Sequence, residues 1–385
     1  MIERPRDFDI TVLGATGFTG GLIAGYLGEH APPSTRIALA GRSVAKLEAV
    51  RSRWGTGADV VGVDVTDAEA MRSVAERTRV LISTVGPYIV HGEPVVAACA
   101  EAGTDYLDLT GEPEFVDLTF LMHHARAVET GARLVHACGF DSVPHDLGVQ
   151  FTVDQLPEDV PLAVRGYVHM HGTFSGGTVA SALEVMSRYR AGRVSHDIRS
   201  QVDAPPAGRR SRVLTGRIGH DRDAGSWVVP MPTIDPLVVV HSARLLPRYG
   251  PDFTYSHYWA GSSPLAAAGL IAGAGALFGV AQIPAARRAL TRLRPSGSGP
   301  SVEQREKSWF KVTFLGEGGG AKVKTEVSGG DPGYTETSKM ISEAALCLVH
   351  DDLPPTSGQV TTASALGPAL RTRLQAAGIT FDVMP

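Results

Sequence analysis

"DITVLGATGFTGGLIAGYL", Asp9–Leu27, decides the fold. An apolar run ends in Gly14, Gly17 and Gly20, spaced strictly by three, and a helix-like stretch follows. The better-known dinucleotide fingerprint spaces its first two glycines by two. Each glycine still has a physical reason. Gly14 stands where a strand must turn sharply. Gly17 lets the backbone approach a pyrophosphate with no Cβ in the way. Gly20 lets the following helix lie close on the sheet. The unpaired N–H groups of the first helical turn, around Thr16, Phe18 and Thr19, then face the phosphates. The spacing predicts a nucleotide-binding turn, with a tight structural turn as the alternative.

To about residue 140, strand-like and helix-like stretches alternate. "DFDITVL", "RIALA", "DVVGVDV", "VLISTV", "YLDLT" and "RLVHA" read as strands, separated by amphipathic segments. Six strands in that rhythm predict an α/β fold, a Rossmann-type doubly wound parallel sheet over residues 1–140. After Cys138 the rhythm changes. "PLAVRGYVHM" and "DFTYSHYWA" alternate as strands. "SGGTVASALEVMSRYRAG" reads as one helix, residues 201–226 as a long exposed loop, and 309–329 as a hairpin turning at Gly316–Gly320. A second, α+β domain for substrate and dimerisation is expected over 141–330, and a helical segment over 331–385.

The second strand ends in "ALAGRS". An acid there would hold the ribose hydroxyls of NAD. This chain has Arg42 and Ser43, with Lys46 one turn on. An acid repels a 2′-phosphate, whereas a guanidinium grips it through two charge-assisted hydrogen bonds. NADP(H) is therefore the expected cofactor. Asp64, after the third strand, is placed either at the adenine edge or as a helix N-terminal acid. Thr84, Val85, Gly86 and Pro87 end the fourth strand, across the switch point, near the nicotinamide ribose.

The proton donor is not legible. A Tyr-x-x-x-Lys pair is missing from the first domain, and Tyr334 and Lys339 are one residue too far apart. Candidate catalytic residues are Tyr88 after the Gly-Pro turn, Asp141 at the domain junction, and Ser175 beside a glycine pair that opens a helix. Asp141 reads equally as an Asx-turn residue and Ser175 as a plain N-cap. No metal is expected. His123 and His124 diverge on a helix, and His169 and His171 share a strand face without an evident third ligand.

Of the 385 residues, 43% are hydrophobic and 20% charged, and 36 basic against 40 acidic residues give a net charge of −4. That balance speaks against a nucleic-acid partner. Three scattered cysteines and no apolar leader before the first strand point to the cytoplasm. Tyr258–Ala286 contains no Asp, Glu, Lys or Arg, and Arg287, Arg288, Arg292 and Arg294 follow it. A single span would separate two strands of one domain. The stretch reads instead as a buried or dimer-interface helix, or as a surface over 258–294 that lies on a membrane or guides a lipid chain.

Taken in order, "GATGFTG", "ALAGRS", "TVGPY", "VAACAEAGTDYLDLTGE", "ACGFDSVPHDLG", "SGGT" and "DPGYTETSKMISEAALCL" resemble the saccharopine dehydrogenase-like oxidoreductases. The nearest branch is that of the trans-acting enoyl reductases of mycobacterial polyketide lipid synthesis. The resemblance implies NADPH-dependent reduction of a C=C bond in an acyl thioester carried by a separate polyketide synthase. It also implies a final segment packed back on the first domain. A carbonyl or imine reductase, or a non-catalytic lipid-associated NADP-binding protein, is the alternative. His91 and His145 stand where the family commonly has Tyr and Ser, so neither is carried over as catalytic.

Overall fold

The computed structural model describes residues 6–172, 176–293 and 299–385. The chain starts with β1 (Phe8–Leu13), α1 (Phe18–His30), β2 (Ile37–Gly41), α2 (Val44–Trp54), β3 (Asp59–Gly62), α3 (Ala68–Glu76) and β4 (Thr78–Ser83). It continues through α4 (Tyr88–His91), α5 (Glu93–Ala102), β5 (Asp105–Asp108), α6 (Pro113–Thr130) and β6 (Arg133–Val135). Every residue of β1 is buried, as expected for a central parallel strand covered on both faces. In α1, Gly20, Ile23, Ala24 and Leu27 form the buried stripe, and Pro32 and Pro33 follow its end. Gly55 and Gly131 close α2 and α6 in the left-handed conformation, at φ 61° and 84°.

The second half runs α7 (Val143–Asp154), β7 (Leu162–His171), α8 (Gly176–Ser187), α9 (Tyr189–Val202), β8 (Arg210–Val213), β9 (Gly219–Asp221), β10 (Ser226–Pro230), α10 (Asp235–Leu245) and β11 (Asp252–Gly261). Then come α11 (Pro264–Ala281), α12 (Pro284–Leu293), α13 (Val302–Glu306), β12 (Trp309–Gly318) and β13 (Ala321–Gly329). The chain finishes with α14 (Thr335–His350), β14 (Gly358–Val360), α15 (Thr362–Ala365), α16 (Gly367–Ala376) and β15 (Thr380–Met384).

The first sheet has the order β14-β6-β5-β4-β1-β2-β3. All its pairings are parallel, so it is the expected doubly wound sheet with one strand added from the far end of the chain. The second sheet runs β15-β13-β12-β7-β11-β10-β9, with β8 beside β11. The last segment therefore gives one strand to each sheet. Its helix α14 covers one face of the first sheet, against α1, β1, β4 and β5. There Tyr26 donates to Glu343 at 2.7 Å.

The segment read as an open loop, 201–226, holds β8 and β9 and the start of β10. Most of its residues are exposed, so no buried alternation marked it. The helix read through Gly192 breaks at Arg188 into α8 and α9. The hairpin turn is tighter than expected, at Gly319–Gly320, with φ 55° and 83°. That pair of positive φ values suits a two-residue hairpin loop.

One continuous core joins the two sheets, from Ile10 and Val12 of β1 to Phe314 of β12 and Val327 of β13. Asp146 of α7 is fully buried inside it. It accepts bonds from Ser242 Oγ, Thr362 Oγ1 (2.8 Å) and the Ala363 N–H (2.7 Å), fastening α7, α10 and α15 together. The exception to this packing is α11. Only Ala267 and Ala281 of its residues are buried, which overturns the reading of a helix buried within its own chain. Each large apolar side chain left exposed there forgoes roughly 1.5–3 kcal/mol of burial.

Candidate functional site

At the C-terminal edge of the first sheet, Gly14 leaves β1 with φ +85°. A Cβ at Gly14 would lie 2.6 Å from Thr84 Oγ1, and one at Gly20 only 2.3 Å from the Gly14 carbonyl oxygen. The fold itself requires those two glycines. Gly17 differs. Its φ is −75°, and a Cβ there would meet only the Gly14 carbonyl oxygen, at 3.3 Å. The space it leaves lies on the exposed side of the turn, with Thr16 and Gly17 both exposed. The helix that follows has no side-chain cap. Its neighbours α2 and α3 are capped by Ser43 and Asp67. An open cradle below an uncapped helix start fits a pyrophosphate. Phe18 contributes only its backbone to that cradle, because its ring packs edge-on against Tyr334 at 4.8 Å. Thr19 is half-buried one residue further on.

Arg42 and Lys46 are exposed at the end of β2, and Ser43 accepts from the Lys46 N–H at 3.4 Å. Asp64 is engaged locally. Its Oδ1 accepts from the Thr66 N–H (3.0 Å) and hydroxyl (2.9 Å). These bonds, with the nearby Arg42 and His91, hold its carboxyl below the ordinary range. The helix-capping acid is Asp67, which corrects that reading of Asp64.

The end of β4 crosses beneath the glycine turn. Thr84 donates to the carbonyls of Leu13 (3.0 Å) and Gly14 (3.2 Å). Val85 and the cis Gly86–Pro87 bond lead into α4. Tyr88 is buried, its hydroxyl donating to the Ser83 carbonyl (3.0 Å) and accepting from the Leu109 N–H (3.2 Å). Both roles of that hydroxyl are filled by the backbone, so Tyr88 braces the switch point in this structure. Sequence reasoning missed Glu112. Its buried carboxylate accepts from the N–H groups of Tyr88 (3.0 Å) and Ile89 (2.8 Å), and from Ser181 of α8 (3.0 Å). Burial pushes its pKa up.

Where β5, β6, α7, α10 and β11 meet, polar side chains collect. Asp108 and His136 pair at 2.7 Å, and Asp108 also accepts from the N–H of Ala137 at 2.9 Å. Asp141 is half-buried near Gly111. Burial, then the charges of Asp235 and Asp108, push its carboxyl up to about 7. Behind it, His145 Nε2 lies 3.2 Å from Asp235 Oδ1, and His257 Nε2 lies 3.8 Å from Asp235 Oδ2. The Tyr255 hydroxyl is 2.9 Å from His257 Nδ1. Burial drives His145 down to about 3 and His257 to about 4, and pushes Asp235 up. Both imidazoles are thus neutral near pH 7.

His145, Asp235 and His257 are ligand types that the sequence did not bring together, and their ligand atoms lie within 4.8 Å of one another. His145 Nδ1, Asp235 Oδ1 and His257 Nε2 are buried there without a hydrogen-bond partner among the described residues, so the cluster is polar and incompletely satisfied. Among the described residues, His169 and His171 gather no third ligand. Ser175 lies outside the described residues.

A family model described as the saccharopine dehydrogenase NADP binding domain matches residues 10–135. A Mycobacterium tuberculosis protein whose name reads "Putative trans-acting enoyl reductase" is 39% identical over an alignment of 422 positions that covers 99% of each chain. A Mycobacterium ulcerans protein with the name trans-acting enoyl reductase is 34% identical over an alignment of 413 positions that covers 98% of each chain. Among solved structures, apo saccharopine dehydrogenase (L-Glu forming) from Saccharomyces cerevisiae shares the fold. Its TM-score is 0.54 at 12% identity, covering 98% of this chain and 100% of that one.

Proposed function

The chain belongs to the trans-acting enoyl reductases, within the saccharopine dehydrogenase-like proteins, and from that premise we propose that it reduces the C=C bond of an acyl thioester carried by a separate synthase. It is an NADP-dependent oxidoreductase with an NADP-binding domain. The observation that carries the reading is the open, uncapped glycine turn at the end of β1, in a chain similar to the enoyl reductases over nearly its full length.

Bound NADPH supplies the hydride for the β-carbon. The chain's residues do the rest. Gly14–Gly20 cradles the pyrophosphate, and Arg42, with Ser43 and Lys46, takes the 2′-phosphate. Thr84, Val85, Gly86 and Pro87 form the floor beside the nicotinamide ribose. Asp141 holds the proton that goes to the α-carbon, and its raised pKa keeps that proton available near pH 7. The backbone N–H groups opening α8, next to Ser175, face the thioester oxygen as negative charge develops there. Ser181, one turn further on, ties this helix to Glu112.

The test is NADPH oxidation by the purified protein with a short enoyl thioester, a ketone and an imine. Consumption with the thioester alone is expected. Consumption with the ketone or imine instead overturns the reading, and tight NADPH binding without turnover on any of the three marks a binding protein.

A further inference from the structure

α11 and α12 leave the second sheet together, after β11 and before β12. Between Asp252 and Glu303 the chain has no acidic residue, and Arg287, Arg288, Arg292 and Arg294 follow the apolar run. Large side chains along α11 and just beyond it face water: Leu265 is 81% exposed, Phe278 44% and Ile283 55%. At about 100° per residue, Leu270, Ile271, Ala274 and Phe278 fall on one face of the helix, and all are exposed. The helix packs its other side on α8 and β10, which leaves this apolar face open to water. The face carries no acid and runs into a basic flank, a pairing that suits an anionic lipid surface.

We propose that α11 and α12 seat this protein on a membrane that carries anionic lipid. α11 lies in the hydrocarbon boundary and the basic run of sequence after Arg287 meets the headgroups. The fold rules out crossing. β11 and β12 both pair with β7, so the two ends of the insertion stay on one side of the bilayer. At 1.5 Å per residue α11 is about 27 Å long, close to the thickness of the hydrocarbon core, so the pairing of both ends with β7, and not length, keeps it in the plane.

The seat is fixed to the rest of the molecule. Gln282 Nε2 donates to the Met186 carbonyl at 2.9 Å, and Arg287 lies 3.8 Å from Glu184. Both partners belong to α8, the helix whose Ser181 reaches Glu112 at the switch point. The membrane face and the cleft are thus separated by one helix. This inference stands apart from the reaction proposed above, because its test reads binding and not turnover.

The experiment is flotation of the full-length protein with two kinds of vesicle, phosphatidylcholine alone and phosphatidylcholine mixed with phosphatidylglycerol. The wild type is expected to float with the mixed vesicles and less with the neutral ones. Phe278→Asp combined with Leu270→Asp is expected to cut binding at least about tenfold, with NADPH affinity and Tm unchanged because both sites are exposed. Arg288→Glu is expected to weaken binding to the mixed vesicles alone, by about five- to thirtyfold. The proposal is overturned if the wild type sediments away from both vesicles, or if the double variant floats as the wild type does. It is equally overturned if the protein is a stable dimer in water that the double variant splits, with no flotation by either.

Discussion

The two banks of the cleft are built by opposite means. On the cofactor bank, Gly14–Gly20, Arg42–Lys46 and Thr84–Pro87 are three short runs at the ends of adjacent strands β1, β2 and β4. Their chemistry is mostly backbone N–H groups, open space and exposed positive charge, which consecutive residues can specify. On the opposite bank, Asp108, Glu112, Asp141, His145, Ser181, Asp235 and His257 come from stretches far apart in the chain. Their chemistry depends on burial and on one another's charges, which only the finished fold creates. On the proposed function, binding a phosphate is a local task, whereas storing a proton is a collective one.

The strongest way to break that contrast is Asp141→Asn. A loss in kcat of about 10²–10⁴-fold is expected, with NADPH affinity kept. The sign of the pH dependence follows from the raised pKa. The acid form is the working one, so wild-type activity should hold below pH 7 and fall about tenfold per unit above it. The residual activity of the variant should lack that fall. A wild-type rate in the variant would make the far bank purely structural.

Next in size is Arg42→Ala, expected to weaken NADPH by about 1.5–3 kcal/mol and to leave NADH nearly unaffected, as read by fluorescence titration. Equal losses for both cofactors would remove Arg42 from the 2′-phosphate. The finest test stays within one turn. Gly20→Ala forces a methyl against the Gly14 carbonyl and should cost about 1–3 kcal/mol of stability. Gly17→Ala should leave Tm in place and weaken NADPH about tenfold, or about 1.4 kcal/mol. If both act on stability alike, the distinction between a glycine for the fold and a glycine for the ligand fails.

The first six strands of that sheet were legible because short apolar runs, most of them buried, alternate with helices along the chain. β14 and β15 were not legible. β14 is three residues long, and β15 alternates poorly, with only Phe381 buried. Their pairing partners lie far back in the chain. The turn at Gly14 was legible because strand end, glycine and helix adjoin. Glu112 sits in plain view in "LTGEPEF", but nothing beside it says that its carboxylate will hold Tyr88, Ile89 and Ser181. Asp235 and His257 sit in stretches that carry no motif, and they matter only because β11 and α10 bring them against His145. Of the two readings of Asp64, the helix N-terminal acid gives way to Asp67, which caps α3, while the adenine-edge reading belongs to the proposed cofactor site.

The tail that supplies β14 to one sheet and β15 to the other has a consequence for synthesis. A ribosome that has released the first 140 residues has produced a sheet with β6 as a bare edge and no α14 to cover its face. Neither sheet is complete until its last strand emerges, which leaves an open strand edge for other chains to pair with in the meantime. The nascent chain carries that open edge for most of its translation, and a first half cut at residue 140 would lack both β14 and α14.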